Sequence, residues 1–175
     1  MITNFFKTAV NLKDIQRQGW IEKLSIHNPE SVADHSYSMA IMGMVLSDME
    51  NMNSEKVLKM ILLHDLAESI IGDFTPEQII SNVKKELEEK TFLKILDDLP
   101  NSLKAQYRDI WNEFQNHNTE ESKFVHQIDR LEMALQAKTY QKTQHKDVSV
   151  FLKTAENDII HPKLKELFRK IIKDE

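Results

Sequence analysis

Apolar residues recur three and four positions apart along most of the chain, the spacing that lines one face of an α-helix. Phe5, Phe6, Ala9, Leu12 and Ile15 predict a first helix that ends before Gly19, after which Arg17 to Glu30 reads as irregular. Pro29 is followed by Ser31-Val32-Ala33-Asp34, a capping box in which the Ser and Asp side chains satisfy free backbone N–H groups. A second helix is therefore predicted from about Val32 to Met49, with Met39, Met42, Leu46 and Met49 on its apolar face. Four residues before Met39, His35 falls at the N-terminal end of that face and points inward. The next helix begins near Ser54, carries Leu58, Ile61 and Leu62, and then places Asp65 where the stripe calls for another apolar side chain. A carboxylate there needs a partner.

Further along, Thr75-Pro76-Glu77-Gln78 reads as a helix start, with Thr as cap and Pro at the first helical position. It leaves Ile71-Gly72-Asp73-Phe74 as a short loop. Charged helical text follows from Pro76 to Asp98, then helices from about Asn101 to Phe114 and from about Glu120 to Tyr140, the latter opened by Asn118 or Thr119. A last helix follows Pro162, and Phe168, Ile171 and Ile172 pack on the body or on a second subunit. No repeat, low-complexity block or linker divides the text, so residues 1–175 read as one all-α globular domain, a helical bundle.

Composition narrows the function more than the fold. Three Gly and four Pro in 175 residues, with 41% hydrophobic and 29% charged positions, are too turn-poor for a many-stranded sheet and too apolar for a disordered chain. A net charge of −5 argues against a polymeric nucleic acid partner but leaves room for a small anion held by one Arg and a metal. The absence of Cys excludes disulfides, thiolate metal sites and Cys nucleophiles. With no apolar run near the roughly 20 residues of a membrane span, and no basic-then-apolar leader, a soluble cytoplasmic protein is expected.

The chemistry concentrates on few residues. His64 and Asp65 lie in the stretch Lys59 to Ile70, predicted to be helical, about 100° apart around the axis, and converge on an ion over the edge between them. Glu68 follows at the i+4 and i+3 spacings that bring it to the same side. Asp129 borders the stripe Phe124, Ile128, Leu131 and Leu135; it either faces the interior or pairs with Arg130 or Lys123 at an edge. His35 alone would read as a core histidine, Arg17 as a partner for a surface acid, and Gly72-Asp73 as an ordinary turn. Together, two His and two Asp make a divalent-metal set with open positions, which points to hydrolysis. His27, His117, His126, His145 and His161 read as surface residues, and Lys84 to Lys94 as a solvated helix face.

The ordered set His35, His64-Asp65, Asp129 resembles the HD-domain superfamily, helical bundles whose metal is held by that pattern. The segments Pro29 to His35, His64 to Asp73 and Leu12 to Trp20 are similar to the YfbR-like 5′-deoxynucleotidases, over about the first three quarters of the chain. The resemblance implies His35, His64, Asp65 and Asp129 as metal ligands, so that the site is built from about residues 30–130 while the C-terminal helices complete the bundle. It further implies Arg17 as phosphate clamp, Glu68 as an acid or base beside the metal, and Asp73 as a second acid aimed at the phosphate. A deoxynucleoside 5′-monophosphate substrate, a homodimer and a divalent ion (Co, Mn, Mg, Zn, Fe or Ni) are implied as well. Bacterial members carry an aromatic directly after the Arg; here Gln18 follows and Trp20 comes two residues later, either swinging in as a substrate-binding residue that reads the sugar 2′ position or packing the entry loop against the body. Two other readings stand beside this one: an HD phosphohydrolase for an alarmone, a nucleoside triphosphate or a cyclic nucleotide, and a non-catalytic nucleotide-binding module.

Overall fold

The Ser31 capping box starts a helix as its sequence predicts: in the computed structural model, which describes residues 1–173, the Ser31 side chain accepts from Asp34 N and Asp34 Oδ2 accepts from Ser31 N at 2.9 Å. The resulting helix α3 (Val32–Met49) is preceded by α1 (Ile2–Asn11) and α2 (Gln18–Leu24). After it come α4 (Ser54–His64), α5 (Glu68–Ile71), α6 (Ser81–Leu96) and α7 (Asn101–Asn116). The chain closes with α8 (Glu120–Gln144), α9 (Ser149–Asp158) and α10 (Pro162–Lys173). The described residues form ten α-helices, in keeping with the all-α class that the apolar spacing predicts, and none is long and apolar enough to cross a membrane.

Helix α8 organises the packing. At 25 residues it runs about 37 Å, and it buries Phe124, Val125, Ile128, Leu131, Ala134 and Ala137 against α3, α4, α7, α9 and α10. Helices α3 and α4 approach closely where α3 carries Gly43: a Cβ there would lie 2.2 Å from Ile61 Cδ1. A second apolar cluster, with Leu12, Val32, Leu66, Phe92 and Trp111, is pinned by stacking of Phe92 on Trp111 at 4.7 Å.

The helix boundaries depart from the apolar pattern in several places. The predicted first helix stops at Asn11; a 3-10 turn (Leu12–Asp14) follows, and then an extended segment. That segment pairs antiparallel with the residues before α3, through Val32 N to Ile15 O at 2.8 Å and Arg17 N to Glu30 O at 3.1 Å. Within the stretch read as irregular, α2 forms because Gly19 sits near its start, where no full turn precedes it, and Ser25 closes it with a left-handed φ of 53°. Thr75 starts no long helix: its hydroxyl donates to Glu22, only the Gln78 half of the cap forms, and α6 begins at Ser81. Helix α9 was not predicted. Leu135 and Met49, assigned to inward faces, are exposed, while Phe168 packs on the body.

Candidate metal centre

His35, His64 and Asp65 are delivered by helix ends and a turn, and Asp129 by the interior of α8. His35 follows the α3 capping box and is fully buried. His64 is the last residue of α4, and its Nδ1 donates to Ile61 O at 2.6 Å, which turns Nε2 away from the helix. The predicted helix Lys59–Ile70 breaks here: Asp65 takes φ −105°, ψ 12°, and a tight turn bonded from Glu68 N to Asp65 O at 3.0 Å leads into α5. The break, rather than helical spacing, brings Asp65 beside His64 and keeps Glu68 on the same side.

The ligand atoms of His35, His64 and Asp65 all lie within 4.8 Å of one another. Asp65 Oδ2 is 2.9 Å from His64 Nε2, and Asp129 Oδ1, projecting from α8, is 3.3 Å from His35 Nε2. Asp129 divides its oxygens, since Oδ2 accepts from Arg130 Nη1 at 3.1 Å. Both imidazole Nε2 atoms are buried, and neither has a hydrogen bond of good geometry among the described residues. Two orphaned ring nitrogens facing two carboxylates are the donor set a divalent cation requires, so the residues fit a metal. Behind them, His35 Nδ1 is 2.6 Å from Glu132 Oε2, the outer carboxylate contact that orients a ligating imidazole. Glu30 lies close to that pair and accepts from Trp20 Nε1 at 2.9 Å.

Arg17 spans the two acids, with Nη1 3.5 Å from Asp65 Oδ2 and Nη2 4.0 Å from Asp129 Oδ1. Burial opposes its charge, but Asp65, Asp129, Asp73 and Glu68 more than restore it and push the guanidinium pKa up. Burial likewise works against ionised Asp65, yet His64, Arg17 and His35 hold its carboxyl far below the usual range. Burial and Arg17 would push His35 down, whereas Asp129 and Glu132 lift it to about 10 in the metal-free protein. Metal binding must therefore displace a proton from His35. Glu68 moves the other way: burial, then Asp65 and Asp73, raise its pKa well above the ordinary value, against the pull of Arg17 and Lys84. Its Oε2 is buried and unpartnered.

Beside the two buried histidines, which do not line it, opens a cavity of about 490 Å³, within the range of small-molecule sites. Arg17, Asp65, Glu68, Asp73 and Asp129 form its polar side; Trp20, Ile79, Met133, Val150 and Phe151 form an apolar one. Asp73 accepts from Gln18 N at 2.8 Å, tying the start of α2 to the loop after α5. Trp20 is buried, its ring 4.2 Å from Phe151, whereas the Gln18 amide folds back onto Gln16 O at 3.2 Å. Gly72 sets up Asp73 with φ 85°, ψ 165°, a conformation open essentially to glycine. Gly72→Ala is expected to cost about 1–3 kcal/mol of stability from backbone strain, seen as a lower thermal midpoint; an unchanged midpoint would refute the strain.

Sequence reasoning missed Glu30, Glu132, Lys84 and the α9 wall. Lys84, read as part of a solvated face, points into the cavity. Glu132 had a faint signal, lying three residues after Asp129 on one helix. His126 and His161, read as surface residues, are half-buried; His126 stacks 3.9 Å from Phe114, and burial pushes it down to about 4.

Fold and cluster define an all-helical protein with a buried His–Asp metal-type centre. The chain belongs to the HD-domain family, whose model matches residues 9–171, well into the C-terminal stretch that the sequence resemblance left out. It is similar to the human 5′-deoxynucleotidase HDDC2, 34% identical over 95% of this chain and 82% of the human protein. The Dictyostelium discoideum 5′-deoxynucleotidase HDDC2 is 35% identical over 93% of this chain and 92% of its own. Among solved structures, the PH0347 protein of Pyrococcus horikoshii OT3 superimposes with a TM-score of 0.81 at 28% identity, covering 98% of both chains.

Proposed function

We propose that this protein is a metal-dependent phosphomonoesterase that hydrolyses deoxynucleoside 5′-monophosphates to deoxynucleosides and phosphate. One observation carries the reading: the orphaned His35 and His64 nitrogens converge with Asp65, with Asp129 Oδ1 3.3 Å from His35 Nε2, beside the cavity that Arg17, Asp65 and Asp129 line. The names of the human and Dictyostelium relatives support the substrate class. His35, His64, Asp65 and Asp129 would hold the ion, whose identity among Co, Mn, Mg, Zn, Fe and Ni is left to experiment. When bound, such an ion polarises phosphoryl oxygens and acidifies water.

The chain's own groups supply the rest. Arg17 presents planar donors to the phosphate oxygens and fixes the phosphorus near the acids. Glu68, its pKa raised by burial and by Asp65, retains a proton to give to the departing 5′-oxygen, while its free Oε2 faces the site. Asp73 holds the α2 start and the loop together and borders the phosphate position. The nucleoside lies along the apolar side, where Trp20 and Phe151 rather than Gln18 meet the sugar and discriminate at its 2′ position.

The test is phosphate release by chelator-stripped protein, with each metal restored, on deoxy- and ribonucleoside monophosphates in parallel. Metal-dependent hydrolysis favouring the deoxy forms by about 10- to 100-fold is expected. Equal rates would remove the sugar role of Trp20 and Phe151, and silence on every monophosphate would refute the function.

A further inference from the structure

Lys84 lies outside the predicted site and on a different helix from every candidate ligand. Its Nζ donates to Phe74 O at 3.0 Å and lies 3.4 Å from Glu68 Oε1 and 3.5 Å from Glu88 Oε1. The carbonyl contact is a good hydrogen bond, but both carboxylate contacts are longer than the roughly 2.7–2.9 Å of a charge-assisted bond. An ammonium has three donors and no acceptor, so part of this one's capacity is poorly used. The side chain is 26% exposed and lines the same cavity as Arg17 and Glu68.

Charge leads to the same place. Asp65, Glu68, Asp73 and Asp129 crowd the polar side of a cavity that must admit a phosphate dianion. The other lining cations are engaged elsewhere, Lys23 with Glu77 at 2.8 Å and Arg130 with Asp129 and Asp158. Besides Arg17, Lys84 is the lining cation whose carboxylate contacts are long, and it lies within reach of Glu68.

We propose that Lys84 is a second phosphate-binding residue, its ammonium closing on the substrate phosphate from α6 while Arg17 holds it from the start of α2. The proposal rests on the phosphomonoesterase reading and adds a residue to it. Lysine suits the task as a flexible point charge, able to exchange two long carboxylate contacts for one phosphate oxygen.

The experiment compares full-length wild type, K84M, K84Q and K84R for hydrolysis and for product inhibition by inorganic phosphate and by deoxynucleoside. K84M is expected to raise KM and the inhibition constant for inorganic phosphate by about 10- to 100-fold, the weight of one charge-assisted contact. Deoxynucleoside inhibition stays unchanged, and K84R recovers most of the loss. Unchanged phosphate inhibition, with only kcat lowered, would make Lys84 a mere support for Glu68 and overturn the proposal. Parallel loss of deoxynucleoside inhibition would overturn it too, as general loosening of the cavity. If K84M melts early, K84Q carries the comparison. If wild type hydrolyses nothing, the enzymatic reading fails separately, and calorimetry of inorganic phosphate with wild type and K84Q still decides the role of Lys84.

Discussion

Asp65→Ala is expected to lower metal-dependent phosphate release by at least about 10³-fold in kcat/KM while leaving the chain folded. The carboxylate stands 2.9 Å from His64 Nε2 and 3.5 Å from Arg17, so its loss strips the proposed ion of one ligand and Arg17 of one anchor together. Little else depends on it. Its backbone, at φ −105° and ψ 12°, is open to alanine, and the neighbouring core residues Leu63 and Leu66 pack without its side chain. Arg17 also retains Asp129 at 4.0 Å. Metal content per chain should fall with activity, while the circular dichroism spectrum and the cooperative melt persist. Asp65→Asn separates the two losses, since it keeps the shape and hydrogen-bonding capacity but removes the charge that attracts both cations. A folded Asp65→Ala protein within tenfold of wild-type activity would remove Asp65 from the metal set.

How much of this was legible beforehand depended on whether the determining interactions are local. The capping box and the apolar period placed α3 and the inward His35, because both signals lie within one helix. The family pattern then grouped His35, His64, Asp65 and Asp129, which the fold brings together across three helices and a turn. The break after His64 was not legible: His64 and Asp65 suit a helix, and only the convergence of Asp65 with Arg17, 48 residues earlier, makes the turn visible. Thr75 misled for the same reason, since its side chain is tied to Glu22 in a distant helix, a contact with no local signature. Lys84 sits among alternating charges that read as solvated, and its inward direction follows from how α6 packs on α5. The Glu132 contact with His35 joins residues 97 apart and has no signature in either helix.

Arg17→Ala is expected to cost about 10²- to 10³-fold in kcat/KM, and Arg17→Lys to recover little of it. The reason is shape as well as charge. The guanidinium reaches Asp65 with Nη1 and Asp129 with Nη2, a span that a single ammonium cannot reproduce while it also faces a phosphate. Its position is set by the backbone, through Arg17 N bonded to Glu30 O at 3.1 Å and Gln18 N bonded to Asp73, so the substitution removes a side chain without displacing the extended segment that carries it. Stability gives a second readout. In the metal-free protein Arg17 offsets the half-buried, ionised Asp65 and Asp129, both held far below the usual carboxylate range, and its removal leaves them with less compensation. The melting temperature of Arg17→Ala should therefore fall most without metal, and a saturating divalent ion should narrow the gap to wild type by supplying charge to the same two carboxylates. Equal destabilisation with and without metal would mean that Arg17 acts away from the ion, and full activity in Arg17→Lys would mean that charge alone, not the planar fork, holds the phosphate.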